Sequence, residues 1–268
     1  MNIFITGATG FIGSRVAKEL RRSHTVVAMK SRLGEIEKIK KEIKRTKPDV
    51  VIHLAWEGIP NVGPDMTAKN LIGSLKLFEL VGELKIPKLI GIGSAWEYED
   101  EKELAASHHG PFVAAKKALH AFGEEIMKAH EGTLVWAIPF FVYGVGKKAI
   151  SLLPALINQG MEGKIPTAKN PDAWHDFVYV DDVAHAIVLL ATKKVKTGAY
   201  DLGTGGLSRT GEIARLTAKE FGFKAPALKK IKKIGHAANI RAAQSALGWK
   251  PTVTLKEGIA RMRREAQK

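Results

Sequence analysis

The stretch Asn2-Ile3-Phe4-Ile5-Thr6-Gly7-Ala8-Thr9-Gly10-Phe11-Ile12-Gly13 decides the fold of this chain. It starts as an apolar strand and runs into three glycines that are spaced three residues apart. Gly7 permits a tight turn, Gly10 lets backbone N–H groups approach a pyrophosphate, and Gly13 lets the next helix pack closely on the strand. The stretch therefore predicts a strand, a glycine turn and a helix.

A helix is predicted over residues 11–22, because Ile12, Val16 and Leu20 recur on one face. Its positive N-terminus would meet the phosphates of a dinucleotide. An ordinary strand-to-helix loop can carry the same glycines, but the strand before them and the amphipathic helix after them favour dinucleotide binding. The cofactor contacts predicted in this turn are Gly7, Thr9, Gly10, Phe11, Ile12 and Gly13.

The composition excludes several kinds of chemistry. The chain has 268 residues, 45% of them hydrophobic, and no cysteine, so disulfides, thiolate catalysis and cysteine zinc sites are excluded, and no metal site is predicted. The net charge of +15 comes largely from runs at 38–47 and 229–233, the first on a helix with the apolar stripe Ile36, Ile39 and Ile43. No nucleic-acid motif accompanies this charge, so we expect an anionic cofactor and substrate rather than nucleic acid.

The start of the chain and its apolar runs bear on its location. The first strand begins at Asn2, which leaves no room for a secretory leader, and no apolar run approaches membrane-spanning length. We expect a cytoplasmic protein with no membrane partner.

The end of the second strand, predicted over residues 25–29, is where a dinucleotide-binding fold meets the adenosine ribose. Lys30, Ser31 and Arg32 follow this strand, and no acidic residue stands there to accept hydrogen bonds from the ribose. These residues suit a 2′-phosphate, which favours NADP(H), with NAD(H) as the other option. The alternative is a basic surface cluster without a ligand.

Two later strands lead to the same edge of a parallel sheet. The continuous apolar run 48–55 is typical of a strand buried on both faces, and it ends at Leu54, Ala55 and Trp56. His53 in this run is expected to be a hydrogen-bonded core residue. Residues 88–92 form the next strand and lead into residues 93–98.

The remaining elements complete an alternation of strands and helices. Helices are predicted over 65–84 and 111–130, strands over 133–142, 176–180 and 198–202, and a helix capped by Asp181 and Asp182. This order predicts an α/β fold with a doubly wound parallel sheet. The predicted core stripes of the two helices are Leu71, Leu75, Phe78 and Leu80, and Ala115, Leu119, Phe122 and Ile126.

Together, these motifs resemble the extended short-chain dehydrogenase/reductase family, the NAD(P)-dependent sugar-nucleotide epimerases, dehydratases and reductases. The resemblance spans residues 2–259 and looks strongest to the branch that reduces 4-keto-6-deoxy sugar nucleotides. The matching segments are Thr6-Gly7-x-x-Gly10-x-x-Gly13, residues 48–55, Asn70, Gly93-Ser94-x-x-x-Tyr98, residues 139–146, residues 176–184 and Leu247-Gly248-Trp249-Lys250-Pro251.

The resemblance implies a catalytic set of Ser94 and Lys116 with a tyrosine four residues before the lysine, where this chain has Phe112. The family's tyrosine is the general acid, and losing such a group costs about 10²–10⁴ in rate. Phe112 is either an introduced substitution that removes the hydroxyl, or native. In the second case the protein is a slow enzyme, an enzyme with a substitute acid, or a binder without redox activity. His108, His109 and Tyr98 are the candidate substitute acids.

The resemblance also implies two parts. A Rossmann-type domain comprises residues 1–142 and about 176–202, and a smaller substrate-binding part comprises 143–175 and 203–268. Further cofactor contacts are Lys30, Ser31, Arg32, Leu54, Ala55, Trp56, Lys116, Phe141 and Val142, and substrate contacts are Ser94, Ala95, Trp96, Tyr143 and His175. The family often has arginine where this chain has Ile138 and His175.

The implied function is NADPH-dependent reduction of a nucleoside-diphosphate 4-keto-6-deoxyhexose in surface-polysaccharide or deoxysugar biosynthesis. The alternatives are an NAD-dependent sugar-nucleotide 4-epimerase and a non-catalytic NADP-binding regulatory or scaffold protein. We also expect a homodimer built from the helices at 65–84 and 111–130, because Ile72, Leu77 and Met127 lie beyond the predicted core stripes.

Overall fold

The computed structural model describes residues 1–59, 62–100, 104, 108–146, 151–224 and 227–268. They divide into two compact units, the first of Met1–Pro139 and Ala184–Tyr200, the second of Phe140–Val183 and Asp201–Lys268. The strands are β1 (Asn2–Thr6), β2 (Thr25–Ala28), β3 (Val50–His53), β4 (Lys88–Ile92), β5 (Thr133–Pro139), β6 (Phe141–Tyr143), β7 (Trp174–His175), β8 (Phe177–Tyr179), β9 (Gly198–Leu202) and β10 (Ser208–Arg209).

The helices alternate with these strands along the chain. They are α1 (Gly13–Leu20), α2 (Ile36–Thr46), α3 (Pro64–Glu83), α4 (Gly110–Ala129), α5 (Leu152–Met161), α6 (Val180–Thr192), α7 (Thr210–Glu220), α8 (Arg241–Leu247) and α9 (Leu255–Ala266), and a short 3₁₀ helix covers Ala95–Tyr98. None of the described helices is long and apolar enough to cross a membrane.

A six-stranded sheet in the order β2-β1-β3-β4-β5-β9 organises the first unit. The neighbours from β2 to β5 pair in parallel, with Ile3 opposite both Val26 and Val50. This sheet confirms the predicted α/β fold. Because all these strands run in one direction, the residues that follow β1, β3 and β4 emerge at one edge.

Helices α3 and α4 pack against each other, and the buried faces of both differ from the predicted ones. Phe122, predicted to lie in the core, is 59% exposed, whereas Leu77 and Met127, predicted to lie outside it, are 0% and 1% exposed. The reason is Gly123, which faces the Phe78 ring so closely that a Cβ atom would lie 2.9 Å from it. This close approach turns Gly123 rather than Phe122 toward the core.

Two boundaries also differ from the predicted ones. The predicted helix at 11–22 begins only at Gly13, because Gly10 N–H donates to the Gly7 carbonyl and keeps the preceding residues in a turn. The predicted strand 133–142 is interrupted at Phe140, whose N–H donates to the Leu202 carbonyl.

The second unit contains two small strand pairs, β6 with β8 in parallel and β7 with β10 antiparallel. Asp176 lies fully buried between β7 and β8, and its carboxylate accepts hydrogen bonds from the amides of Thr204, Gly205 and Ala238. One carboxylate therefore ties three chain segments together. The predicted domain division at 142 and about 176–202 stays a prediction, while the compact units break the chain after Pro139, Val183 and Tyr200.

Candidate active site

The glycine turn after β1 is shaped by the absence of side chains. Gly7 has φ +69°, and a Cβ atom on it would lie 2.7 Å from the Leu54 carbonyl carbon and from the Ala55 nitrogen. A Cβ atom on Gly13 would collide with the Gly7 carbonyl oxygen. The turn therefore lies directly against the residues that follow β3, and the N-terminus of α1 opens beside it. This backbone arrangement fits the pyrophosphate of a dinucleotide.

The end of β2 is held by a carboxylate that the sequence did not reveal. Glu42 on α2 accepts hydrogen bonds from Lys30 N at 2.9 Å, from Ser31 N at 3.0 Å and from Ser31 Oγ at 2.6 Å. The side chains of Lys30 and Arg32 are exposed. Of the three residues predicted to bind a 2′-phosphate, Ser31 thus already donates its hydroxyl hydrogen bond to Glu42. The Ser31 and Lys30 donors hold the pKa of Glu42 below its usual value although burial opposes them.

The end of β3 is fixed by a buried hydrogen-bond chain. His53 bridges Thr6 Oγ1, at 2.8 Å, and Ser74 Oγ, at 2.9 Å, and Thr6 Oγ1 also accepts from Ala55 N at 3.0 Å. Burial, assisted by the charge of Lys116, lowers the pKa of His53 to about 3. His53 is therefore a neutral, hydrogen-bonded core residue, as predicted.

Lys116 is a buried cation beside the end of β4. It is 6% exposed, its Nζ donates to the Ile92 carbonyl at 2.7 Å, and it lies 4.0 Å from the centre of the Trp56 ring. Burial lowers the pKa of Lys116 to about 7, and Glu97 acts in the opposite direction. Contact with a ring face compensates part of the lost hydration of an ammonium group.

Phe112 lies one helical turn before Lys116 and is enclosed by aromatic rings. It is 6% exposed, and Trp56 and Trp96 approach its ring edge-on, with centroids 5.2 Å and 5.8 Å away. Its remaining neighbours in this apolar cluster are Val62, Val113 and Leu104. The ring is thus seated in an apolar pocket at the position where the resemblance implies a phenol.

The three candidate substitute acids differ in their surroundings. His109 stacks on Trp96 with centroids 3.7 Å apart, and Trp96 also contacts Phe112. Burial and the neighbouring His108 lower the pKa of His109, which disfavours its acidic form. Tyr98 is 40% exposed and His108 is exposed as well.

Ser94 lies at the end of β4 and begins the 3₁₀ helix. Its Oγ accepts from Trp96 N at 3.4 Å, and its own N–H donates to Glu97 Oε1 at 2.6 Å. The sequence carried a signal for this contact, since Ser94-x-x-Glu97 is a capping box. Glu97 and Glu42 are the residues of this unit that sequence reasoning missed.

Four of the predicted site residues belong to the second unit, namely Phe141, Val142, Tyr143 and His175. Phe141 stacks on His175 with centroids 3.9 Å apart, and Val142 follows in the same strand. Tyr143 is 2% exposed and its hydroxyl donates to the Thr254 carbonyl at 3.4 Å. Its side chain therefore packs within this unit. Among the described residues, no group of His, Asp and Glu could hold a metal ion.

Comparison with known proteins gives this geometry a context. A model of the NAD dependent epimerase/dehydratase family matches residues 3–203. A GDP-L-fucose synthase from Sinorhizobium fredii is 25% identical in an alignment that covers 97% of this chain and 93% of that protein. A GDP-6-deoxy-D-talose 4-dehydrogenase from Aggregatibacter actinomycetemcomitans is 25% identical over 221 residues, which cover 76% and 75%.

Solved structures share the fold. The Pseudomonas aeruginosa protein RMD, solved with NADPH, has a TM-score of 0.80 at 21% identity and covers 98% of this chain and 97% of its own. Other structures with this fold were solved with NAD. Structures with this fold thus hold either dinucleotide.

Proposed function

The chain belongs to the NAD-dependent epimerase/dehydratase family of sugar-nucleotide enzymes, and from that premise we propose an NADPH-dependent reductase of a nucleoside-diphosphate 4-keto-6-deoxyhexose. Its general-acid position is filled by Phe112. We place this reaction in surface-polysaccharide or deoxysugar biosynthesis in the cytoplasm.

The observation that carries the proposal is that Phe112 and Lys116 both lie against Trp56, close to the end of β4 from which Ser94 follows. Lys116 is held at the end of β4 by the Ile92 carbonyl, and Ser94 follows the same strand. A relative is named a 4-dehydrogenase of a 6-deoxy sugar nucleotide, which is the same redox chemistry at the same carbon in the opposite direction.

The dinucleotide, when bound, supplies the hydride. The glycine turn and the start of α1 would hold its pyrophosphate, the exposed cations of Lys30 and Arg32 would attract a 2′-phosphate, and Lys116 would contact the nicotinamide ribose. Ser94 Oγ would donate a hydrogen bond to the ketone oxygen, where negative charge develops. Phe112 has no proton to give, so this step lacks its positioned acid.

Replacing Phe112 with Tyr tests the proposal. The two positions 112 and 116 share one helical face, so a phenol would lie in the field of the Lys116 ammonium, and turnover should rise by roughly 10²–10⁴ with little change in cofactor affinity. The measurement is NADPH oxidation with a nucleoside-diphosphate 4-keto-6-deoxyhexose. Phe223→Tyr, the same change at a half-buried position outside this site, should leave the rate as it is.

An unchanged rate in Phe112→Tyr would contradict the proposal that this site lacks only an acid. Adding Lys116→Ala then separates two cases. If a residual rate is lost, another group donates the proton. If neither variant has a rate, the protein binds the dinucleotide without reducing a substrate.

A second candidate is an NAD-dependent sugar-nucleotide 4-epimerase, and Glu42 favours it. Its carboxylate lies at the end of β2, where an acidic group would accept hydrogen bonds from an NAD ribose and repel a 2′-phosphate. Tighter binding of NAD than of NADP at controlled ionic strength, with NAD retained through mild denaturation, would favour the epimerase.

The proposed assembly is a homodimer through α3 and α4. Ile72 is 55% exposed and Phe122 is 59% exposed, and both lie on these helices. An exposed pair of this size on adjacent helices suits an isologous interface. Ile72→Glu with Phe122→Glu should convert the dimer to a monomer by light scattering, whereas Ile234→Glu, which changes an even more exposed isoleucine elsewhere, should not. A native monomer at micromolar concentration would rule the dimer out.

A further inference from the structure

Gly91 in β4 and Gly93 directly after it leave space for an indole ring. A Cβ atom on Gly91 would collide with the six-membered ring of Trp136, and one on Gly93 would lie 2.5 Å from both Trp136 Nε1 and Glu97 Oε1. Trp136 is fully buried on β5. The absence of side chains at Gly91 and Gly93 therefore lets the Trp136 indole and the Glu97 carboxyl lie directly against the backbone.

This space lets Glu97 reach two donors at once. Its Oε1 accepts from Ser94 N at 2.6 Å, and its Oε2 accepts from Trp136 Nε1 at 3.2 Å. Both carboxyl oxygens are thus fixed by donors that belong to β4 and β5 or adjoin them. Two N–H bonds hold a carboxyl group in one place and favour its charged form, although burial leaves the pKa of Glu97 above its usual value.

Charged and titratable groups surround this carboxyl. Lys116 on α4 donates from Nζ to the Ile92 carbonyl at 2.7 Å, and Ser94 N, two residues further along the chain, donates to Glu97 Oε1, so both charged groups lie at the end of β4. Lys116 and His120 both act on Glu97 electrostatically, and His120 also stacks on Trp136 with centroids 4.7 Å apart. Lys116 in turn acts on His53 of β3. Burial raises the pKa of Glu97, while the two donors and the cation Lys116 lower it.

We propose that Glu97 is a positioning residue, which fixes Ser94 through its backbone and supplies the buried negative charge that favours the ammonium form of Lys116. Without that charge, the apolar surroundings of Lys116 favour the neutral amine. A neutral amine has no field to stabilise the oxyanion of a reduced ketone. The catalytic meaning of this role rests on the proposed reductase, but the Glu97–Lys116 coupling does not.

Lysine titration by NMR measures the coupling without any assay of activity. In protein labelled with ¹³C in lysine, the chemical shift of Lys116 reports the midpoint of its titration, the pH at which half of the amines are protonated. We expect this midpoint near pH 7 in the native chain, because burial lowers the pKa of Lys116. Glu97→Gln keeps an acceptor for Ser94 N but removes the charge, and should lower that midpoint by about one pH unit. Lys116→Met identifies the signal by its loss.

A matched control is Glu124→Gln, which removes a carboxylate that lies 3.3 Å from His120 on the same helix but does not contact Ser94. It should leave the Lys116 midpoint in place. Equal midpoints in the native chain and in both variants would overturn the proposal.

A measurement on the native chain covers the case in which Glu97→Gln does not fold. The Glu97 carboxyl carbon should titrate above pH 4.5, and the Lys116 signal should show a second inflection at the same pH. A Lys116 signal without that inflection would contradict the coupling.

Kinetics then test the catalytic meaning. In ketosugar reduction, Glu97→Gln should lower kcat about tenfold and leave KM little changed, and the pH profile of kcat should move with the Lys116 midpoint. If neither the native chain nor Phe112→Tyr reduces a ketosugar while the NMR midpoint still moves, the reductase fails and the Glu97–Lys116 coupling stands.

Discussion

Two parts of one sheet edge, both in the first unit, are built by opposite means. The glycine turn after β1 depends on missing side chains, since Gly7 and Gly13 have no room for a Cβ atom. The region after β4 depends on buried charge, with Lys116 held by a carbonyl and a ring face and Glu97 held by two N–H groups.

The difference shows how each part responds to change. Sterics at the turn do not depend on pH, and any side chain there meets backbone that cannot move aside. The balance of burial and charge after β4 shifts with pH and with single protons. A substitution at the turn should therefore act on the fold at every pH, whereas one after β4 should act in a limited pH range.

The largest effect expected is at the turn. Gly13→Ala places a methyl group against the Gly7 carbonyl oxygen and should destabilise the chain by about 3 kcal/mol in urea unfolding, with loss of dinucleotide binding. Gly34→Ala is the control, because a Cβ atom there meets nothing within 4 Å. Equal stability of the two variants would contradict the claim that the turn has no room for a side chain at Gly13.

A smaller, pH-limited effect is expected at Lys116. Its folded pKa of about 7 lies below the unfolded value of 10.5, so between these values the unfolded chain binds the extra proton and stability rises with pH. This rise approaches about 1 kcal/mol per pH unit. Lys116→Met should lack it between pH 7 and 9, whereas Lys117→Met, at an exposed position, should keep it. If the free energy of unfolding changes with pH in the same way for the native protein and for Lys116→Met, the claim that Lys116 is a buried charge is contradicted.

The smallest effect expected is at Glu42, where a carboxylate holds backbone in place as the glycines do at the turn. Glu42→Gln keeps an oxygen acceptor for the amides of Lys30 and Ser31 but removes a negative charge, and should raise affinity for NADP relative to NAD by roughly tenfold. Titrations with both dinucleotides measure the ratio. Glu37→Gln, on the exposed side of α2, should not move it, and an unchanged ratio in both variants would remove Glu42 from cofactor choice.

Most of the fold was predictable because it depends on local patterns. The apolar run at β3, the glycine spacing after β1 and the strand at Lys88–Ile92 each predicted an element that the structure contains. Phe122 was misplaced because the buried face of α4 is set by the contact of Gly123 with Phe78, which lie 45 residues apart in the sequence.

Site residues were predictable where they belong to a motif with fixed spacing. Gly7 is part of the glycine motif after β1, and Lys116 follows position 112 by four residues, so both could be identified from the sequence. Glu42 and Glu97 were missed because their partners are backbone amides and an indole that only the folded sheet brings near them. The capping box at Ser94 was the one signal in the sequence that could have indicated Glu97.

The position of β9 has a consequence for how the chain is made. The outer neighbour of β5 in this sheet is β9, and residues 140–197 lie between the two strands in the chain, with 140–183 in the second unit. At a synthesis rate of about 5–20 residues per second, the apolar β5 waits on the order of several seconds with an open edge on the ribosome. Unpaired apolar edges recruit other strands. During that interval, β5 is an open apolar edge with which a strand of another chain can pair.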